Sequence, residues 1–206
     1  MTLAFGRIQL DPAHPFTLRV LGDPYQMHRF VYETAAGDGG DERLLYRVEP
    51  APSSRDGTYQ VLVQRTTPWE HTDPSETTAG YTLERRTTDV KLTPRTYRFR
   101  LRANPVKTIP SPERGVRGKR VGLESEEEQL TWLSSKLARR GMRLVGADRY
   151  REPWLIFAKG GKGTRRVSLV SALFEGSLQV EDPAKAEEGL AYGIGPGKGF
   201  GFGLLS

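Results

Sequence analysis

A tyrosine and a histidine three residues apart form the pair that could move a proton, Tyr25 and His28 in the segment DPYQMHRFVY. An imidazole has an unperturbed pKa of about 6.5, so it donates or accepts a proton near neutral pH, and a tyrosine one helical turn away can orient or share that proton. The next residue is Arg29, whose guanidinium would stabilise an anionic transition state. Together these side chains suit the cleavage of a phosphodiester without a metal ion.

A helix is the element that would bring these side chains together. Asp23 and Pro24 predict its N-cap and first turn, and we expect it to run to about Ala36. At about 100° per residue, one arc of this helix is apolar and the opposite arc is polar and aromatic. The polar and aromatic arc contains Tyr25, His28, Arg29 and Tyr32. His28 therefore lies off the apolar stripe, and a surface pair without chemistry is the alternative.

The composition excludes several kinds of site. The 206 residues include no cysteine, so disulfides, thiolate nucleophiles and cysteine-bound zinc are excluded. The other two histidines, His14 and His71, lie in turn-like contexts far from His28 in sequence, and HExxH is absent, so we expect no metal ion and no cofactor. Since the chain shows neither a signal segment nor an apolar run of about 20 residues, we expect a cytoplasmic protein outside the membrane.

Basic residues outnumber acidic residues by 31 to 25, and part of the excess is clustered. In TYRFRLR, arginines alternate with apolar residues, which predicts a strand with one basic face formed by Arg98, Arg100 and Arg102. ERGVRGKRVG and FAKGGKGTRRVS predict a basic loop and a basic hairpin tip. Their basic residues are Arg114, Arg117, Lys119, Arg120, Lys159, Lys162, Arg165 and Arg166. A solvated loop is the alternative for each, but together they indicate a surface that binds RNA phosphates.

The segment GIGPGKGFGFG, Gly193–Gly203, has glycine at nearly every second position. Glycine at this density favours a close approach of the main chain to a phosphate or to another large group. A nucleotide-cofactor loop fits poorly, because no Ser or Thr follows the lysine and no helix follows the loop. An RNA backbone is the better candidate, and a tight structural turn is the alternative. The residues assigned to RNA contact are Gly195, Gly197, Lys198 and Gly199.

The order of helical and strand patterns predicts an α+β fold of two tandem ferredoxin-like (RRM-like, βαββαβ) domains, residues 1–90 and 91–206. The first domain would carry the catalytic helix. The second would start at TYRFRLR, contain a helix with Ser125 and Glu128 as a capping box, and end in a strand at FGLL. The region from Trp69 to Asp89 is polar and gives no clear element.

Several segments of the chain resemble the CasE (Cse3) CRISPR repeat endoribonucleases of type I-E systems. They are DPYQMHR, ERLLYRVEP, YRFRLRANPVK, GKRVGL, LFEGSLQVEDP and GIGPGKGFGFGLLS. The resemblance implies a metal-independent cut at the 3′ base of the CRISPR repeat hairpin, leaving a 2′,3′-cyclic phosphate (or 3′-phosphate) and a 5′-hydroxyl. It also implies two kinds of partner, the repeat RNA hairpin of pre-crRNA and crRNA and the other subunits of the Cascade complex.

The same resemblance places the catalytic tyrosine and histidine at Tyr25 and His28. Some relatives have a catalytic lysine five residues after the histidine, where this chain has Glu33. Our candidates for the missing positive charge are Arg29 and Lys107. A non-catalytic tandem RRM-like RNA-binding protein is the second hypothesis, since KGFGFG partly matches the aromatic motif of such domains.

Overall fold

The first half of the chain forms a five-stranded antiparallel sheet. The structure is a computed structural model, and it describes residues 1–36, 43–49, 57–70, 73–113, 115–116, 118–159 and 165–206. The side chains of Lys159 and Arg165 lie outside this description. The strand order is β2-β3-β1-β5-β4, with β1 at the centre. The strands are β1 (Thr2–Leu10), β2 (Leu44–Val48), β3 (Tyr59–Arg65), β4 (Ser75–Thr78) and β5 (Tyr81–Asp89).

Two helices follow β1 in direct succession, α1 (Pro15–Gly22) and α2 (Pro24–Ala35). The predicted N-cap of α2 is confirmed, because Asp23 Oδ1 accepts a hydrogen bond of 2.8 Å from the Tyr25 amide. Helix α1 was not predicted; its N-cap is His14, whose Nδ1 accepts from the Phe16 amide at 3.3 Å. The apolar arc of α2 is buried against the sheet, which turns the opposite arc away from the core.

The second half contains a three-stranded antiparallel sheet of order β6-β12-β9. The helix predicted from the Ser125 cap is confirmed, since Ser125 Oγ accepts from the Glu128 amide at 3.2 Å. Gly141, which has a φ of +66°, follows the end of this helix. The elements are β6 (Thr96–Ala103), α3 (Glu126–Ala138), β9 (Met142–Arg151), β12 (Ala172–Val180) and α4 (Pro183–Tyr192).

The C-terminal tail runs along the open edge of β6 without forming the strand predicted at FGLL. Gly203 donates to the Arg102 carbonyl at 2.8 Å, and Ser206 both donates to and accepts from Arg100. The tail and β6 form one isolated antiparallel β-bridge, between Leu205 and Leu101. Positive φ angles at Gly201 and Gly203 interrupt the pleat, which explains why a continuous ladder does not form.

Both halves have the ferredoxin-like strand order, in which the first strand is central and the second strand lies at an edge beside the third. In the second half, the tail occupies the place of the fourth strand. In the first half, the short strand β4 precedes β5 where the pattern has a second helix. The predicted α+β tandem ferredoxin-like fold is confirmed, and the boundary between residues 90 and 91 stays a prediction.

Two short ribbons project from the second half. One joins β7 (Val106–Ile109) to β8 (Lys119–Gly122), and the other joins β10 (Leu155–Lys159) to β11 (Arg165–Leu169). The strands of the second ribbon flank the tip of the predicted basic hairpin, and residues 160–164 of that tip lie outside the described residues. In the described ranges, no helix is long and apolar enough to cross a membrane.

A buried polar network joins the two halves. Arg47, only 2% exposed, donates from Nε to Glu49 Oε1 at 2.8 Å and from Nη1 to the carbonyls of Arg100 and Leu204 at 3.1 and 3.3 Å. Arg100 Nη1 lies 2.8 Å from the other Glu49 oxygen. Since a buried charge is stable only when it is paired and hydrogen-bonded, this network fixes the tail of the second half against β2 of the first.

Candidate active site

The polar arc of α2 places three aromatic side chains in one row. The ring centroids of Tyr25 and His28 are 6.5 Å apart, and those of His28 and Tyr32 are 4.4 Å apart. All three side chains are half-buried. The helix thus brings the predicted tyrosine and histidine to the same surface, where both have partial access to solvent.

The glycine segment supplies the other wall of this site. Its residues Lys198–Phe200 form one turn of 3-10 helix, which we call the glycine turn. The Phe200 ring lies 5.9 Å from the His28 ring and 4.6 Å from Phe157 on β10. A Cβ atom placed on Gly199 would stand 3.6 Å from the His28 imidazole. The site around His28 is therefore built from both halves of the chain.

Tyr46 holds the glycine turn in this position. Its hydroxyl donates a hydrogen bond of 3.1 Å to the Gly199 carbonyl, and its side chain is only 1% exposed. Burial, with a smaller contribution from Tyr32, raises the pKa of Tyr46 above its usual range, so the group remains a neutral donor. Sequence reasoning did not select Tyr46; a tyrosine inside the apolar strand RLLYRV was the available signal.

The glycines of this segment first serve packing within the protein. Gly195 and Gly197 have φ angles of +80° and +85°. A Cβ on Gly195 would stand 2.8 Å from the Trp132 ring, and one on Gly197 would stand 2.8 Å from the Phe202 ring. Only glycine combines this backbone conformation with such close neighbours. RNA contact by Gly195, Gly197, Lys198 and Gly199 stays a prediction.

The two candidates for the supporting positive charge are both engaged with carboxylates. Arg29 Nη2 lies 3.1 Å from Glu33 Oε1, one turn along α2, and both side chains are more than half exposed. Lys107 Nζ lies 2.8 Å from Glu128 Oε1. This lysine lowers the pKa of the exposed Glu128 carboxyl through a hydrogen bond. Arg29 lies on α2 with Tyr25 and His28, whereas Lys107 belongs to β7 of the second half.

Two arginines of the predicted basic strand face take part in the network between the halves. Arg100 contacts Glu49 and Glu175, with nitrogen to oxygen distances of 2.8 and 2.6 Å. Arg102 Nη1 donates to the Val48 carbonyl at 2.6 Å, and its other nitrogens contact Glu152. Only Arg98 is exposed. Arg100 and Arg102 therefore have a direct structural role, and their contact with RNA stays a prediction.

The remaining residues of the predicted basic clusters that the structure describes lie on the two ribbons. Lys119 and Arg120 are exposed on β8, and Arg166 is exposed on β11. Lys162 lies outside the described residues, as do Arg114 and Arg117 and the side chains of Lys159 and Arg165. Within the described ranges, no three His, Asp or Glu side chains cluster closely enough to hold a metal ion. Independence from metal ions stays a prediction.

Comparison with known proteins places the chain in a family. A family model for CRISPR associated proteins matches residues 5–206. The chain is 35% identical over 216 aligned residues to the CRISPR-associated endoribonuclease Cse3 of Thermus thermophilus, with 97% of each chain covered. It is 36% identical over 114 residues to the CRISPR system Cascade subunit CasE of Escherichia coli, covering 52% of this chain and 55% of that protein.

A solved structure gives the same result. Thermus thermophilus Cse3, bound to an RNA that represents a pre-cleavage complex, superposes with a TM-score of 0.80 at 32% identity. The match covers 100% of this chain and 98% of that one. The chain therefore belongs to the Cse3/CasE family of CRISPR-associated endoribonucleases.

Proposed function

We propose that this protein cleaves CRISPR precursor RNA at the 3′ base of the repeat stem-loop, without a metal ion, and stays bound to the mature crRNA as a Cascade subunit. The observation that carries the proposal is the position of His28. Its ring shares a half-buried site with Tyr25 and with the glycine turn, in a chain related over 97% of its length to the endoribonuclease Cse3.

The proposed reaction is an in-line attack by a ribose 2′-oxygen on the adjacent phosphorus. The new bond closes a 2′,3′-cyclic phosphate, and the bond from phosphorus to the 5′-oxygen breaks. One member of the Tyr25 and His28 pair assists removal of the 2′-OH proton. The other protonates or orients the leaving 5′-oxygen, which becomes a 5′-hydroxyl. Arg29 is the nearer candidate for stabilising the phosphorane charge, since it follows His28 on the same helix.

The β10 to β11 ribbon is the proposed grip on the RNA stem. Phe157 of β10 packs on Phe200, so the ribbon starts beside the site that contains His28. A-form RNA has a deep, narrow major groove, which a thin basic ribbon would recognise mainly by shape and phosphates. The basic residues assigned to this grip are Lys159, Lys162, Arg165 and Arg166.

A partner role in Cascade rests on the relative that is named as a Cascade subunit, CasE of Escherichia coli. In such an assembly the protein would hold its product after the cut. The corresponding experiment is co-purification of this chain with the crRNA and the other Cascade subunits after expression in the same cells.

The second hypothesis, a non-catalytic tandem RRM-like protein, is disfavoured by the place of its motif. Such proteins carry stacking aromatics on central strands of the sheet. Here the aromatics of KGFGFG lie elsewhere: Phe200 belongs to the glycine turn, and Phe202 is fully buried. Neither is displayed on a central strand.

The test is a cleavage assay with a labelled repeat hairpin and excess EDTA. Wild type, His28→Ala and Tyr25→Phe are compared, and a second RNA has a 2′-deoxy nucleotide before the cut. We expect the wild type to cut, His28→Ala to bind but to cut roughly a hundred- to ten-thousand-fold more slowly, and the 2′-deoxy RNA to stay intact.

Each part of the proposal has its own contrary result. Cleavage by His28→Ala at the wild-type rate removes that residue from the mechanism. Loss of wild-type activity in EDTA, with recovery when Mg²⁺ is added, contradicts independence from metal ions. Binding of the hairpin by all proteins with no cleavage by any of them supports the tandem RRM-like hypothesis.

A further inference from the structure

A positively charged site lies beside the glycine turn. It is a cavity of about 540 Å³ between the C-terminal end of α3, the β7 to β8 ribbon and the first residues of the glycine segment. The charged residues that line it are Arg120, Lys136, Arg139, Arg140 and Lys198. We call this site the basic cleft. Among the described residues that line it, none is acidic.

Few carboxylates among the described residues pair with the positive charges of the basic cleft. Within the described part of the chain, these five residues make a single ion pair, in which Arg140 Nη1 lies 2.7 Å from Glu188 Oε1. Burial lowers the pKa of Lys136, and so do the nearby Arg139 and Arg120. Like charges packed this way repel one another, so a bound anion would relieve the repulsion.

The cluster is more than the usual basic end of a helix. Basic residues are favoured at a helix C-terminus, which accounts for Lys136 and Arg139 taken alone. Arg120, however, comes from β8, and Lys198 comes from the glycine turn. Burial lowers the pKa of Lys198 too, with further contributions from Arg43 and Arg140. Three separate elements therefore direct cations into one cavity.

The shape of the basic cleft suits an extended polyanion. The glycine segment forms one wall, at Gly193 and Gly195. The Lys136 ammonium lies over the Trp132 ring, 5.7 Å from its centroid, so this cation is held in place. A single strand of phosphates can enter such a site.

The basic cleft and the candidate active site share the glycine turn. Gly199 backs on to the His28 ring, and the preceding residue, Lys198, lines the basic cleft. RNA whose scissile phosphate lies at His28 therefore has this site within reach of its neighbouring nucleotides. The proposed function assigns the RNA stem to the β10 to β11 ribbon. The RNA that can reach the basic cleft is then the unpaired RNA that flanks the stem.

We infer that the basic cleft binds the phosphates of the unpaired RNA that flanks the repeat hairpin, through Arg120, Lys136, Arg139 and Lys198. The inference rests on the proposed function, because it takes the hairpin as the substrate. It adds a binding site for a part of the substrate that the hairpin grip does not cover.

The test measures binding of three RNAs with a 2′-deoxy nucleotide at the cut, namely the hairpin alone, the hairpin with a 5′ flank and the hairpin with a 3′ flank. The proteins are wild type, K136Q/R139Q and R139Q. The control is K91Q/R95Q, which removes the same charge before β6. Lys91 and Arg95 are exposed and do not line the basic cleft.

We expect wild type to bind at least one flanked RNA more tightly than the hairpin alone. K136Q/R139Q loses roughly tenfold in affinity for that flanked RNA, and its log-log salt slope falls in magnitude by about 1.4, since each single-strand phosphate contact contributes about 0.7. Arg139 is exposed at the end of α3, so R139Q alone gives a smaller loss without disturbing the fold. The flank that loses affinity identifies the strand in the basic cleft.

Equal affinity of wild type and K136Q/R139Q for both flanked RNAs overturns the inference and leaves the proposed function intact, provided that the hairpin alone is bound. The same loss on the hairpin alone also overturns it, because the cleft would then serve the stem. If wild type binds none of the three RNAs, the proposed function itself fails. Loss of affinity for an acidic protein partner, with no effect on RNA, assigns the cleft to protein and overturns the inference.

Discussion

Removal of one buried hydroxyl, by Tyr46→Phe, tests whether the glycine turn positions His28. The substitution deletes the hydrogen bond of 3.1 Å to the Gly199 carbonyl and leaves the aromatic ring in the core. A neutral hydrogen bond contributes about 1 kcal/mol to folding. For a chain of this length, that loss lowers the Tm by about 2–4 °C.

The effect on cleavage follows from the same contact. If the full 1 kcal/mol is lost from the alignment of the glycine turn with His28, the rate of the chemical step falls about fivefold. The assay is single-turnover cleavage of the repeat hairpin with enzyme in excess, together with the Kd for a 2′-deoxy hairpin. We expect a lower rate with an unchanged Kd, because Tyr46 is buried and cannot contact RNA.

A pH measurement separates Tyr46 from the general acid and base. Burial raises the pKa of its hydroxyl above the ordinary value of 10.0. The unfolded chain therefore releases this proton first, and wild-type stability falls as pH rises above about 10, a component that Tyr46→Phe lacks. Below that range the pH-rate profile of the variant keeps the wild-type shape, since Tyr46 stays neutral.

Tyr81→Phe is the matched control. Tyr81 packs its ring against Phe30, with centroids 5.2 Å apart, on the other side of α2 from the glycine turn. It should cleave at the wild-type rate. A Tyr46→Phe protein with a lowered Tm and a wild-type rate would refute the reasoning, because the hydrogen bond would then stabilise the fold without positioning the site.

Two further predictions concern the contacts between the halves and the glycine segment. Arg47→Leu leaves Glu49 buried with Arg100 as its remaining partner among the described residues, so we expect a loss of about 3 kcal/mol in urea unfolding. A loss below about 1 kcal/mol would show that the network is not needed. Gly195→Ala forces a positive φ on alanine and places its Cβ 2.8 Å from Trp132, so we expect about 1–3 kcal/mol of destabilisation, against little change for Gly146→Ala, whose Cβ meets no atom within 4 Å.

The local signals in the sequence predicted the elements that carry the candidate site. Asp23 and Pro24 mark the start of α2. The helical spacing of about 100° per residue separates the arc of Tyr25 and His28 from the buried arc, as the structure shows. Alternation in TYRFRLR likewise predicted β6. These signals depend on neighbours within one or two turns, which a single sequence contains.

Contacts between residues far apart in the sequence explain most of the features that the sequence did not predict. Alternation in TYRFRLR shows which residues share a face but not what covers that face, so the contact of Arg100 with Glu49 was not predicted. In the structure, Glu49 from the first half reaches Arg100 across 51 positions of the chain. Tyr46 meets Gly199 across 153 positions. Helix α1 was missed since its N-cap is a histidine, which is not among the favoured capping residues.

The division of the site between α2 and the glycine turn sets an order of events during synthesis. The first half has its own sheet and core, so it can fold while the ribosome is still translating the second. Such a nascent chain already displays His28, but it lacks Phe200, Gly199 and the wall that they form. Residue 200 must leave the ribosome before the histidine meets that wall, so unfinished chains would carry an incomplete site and spare the RNA around them.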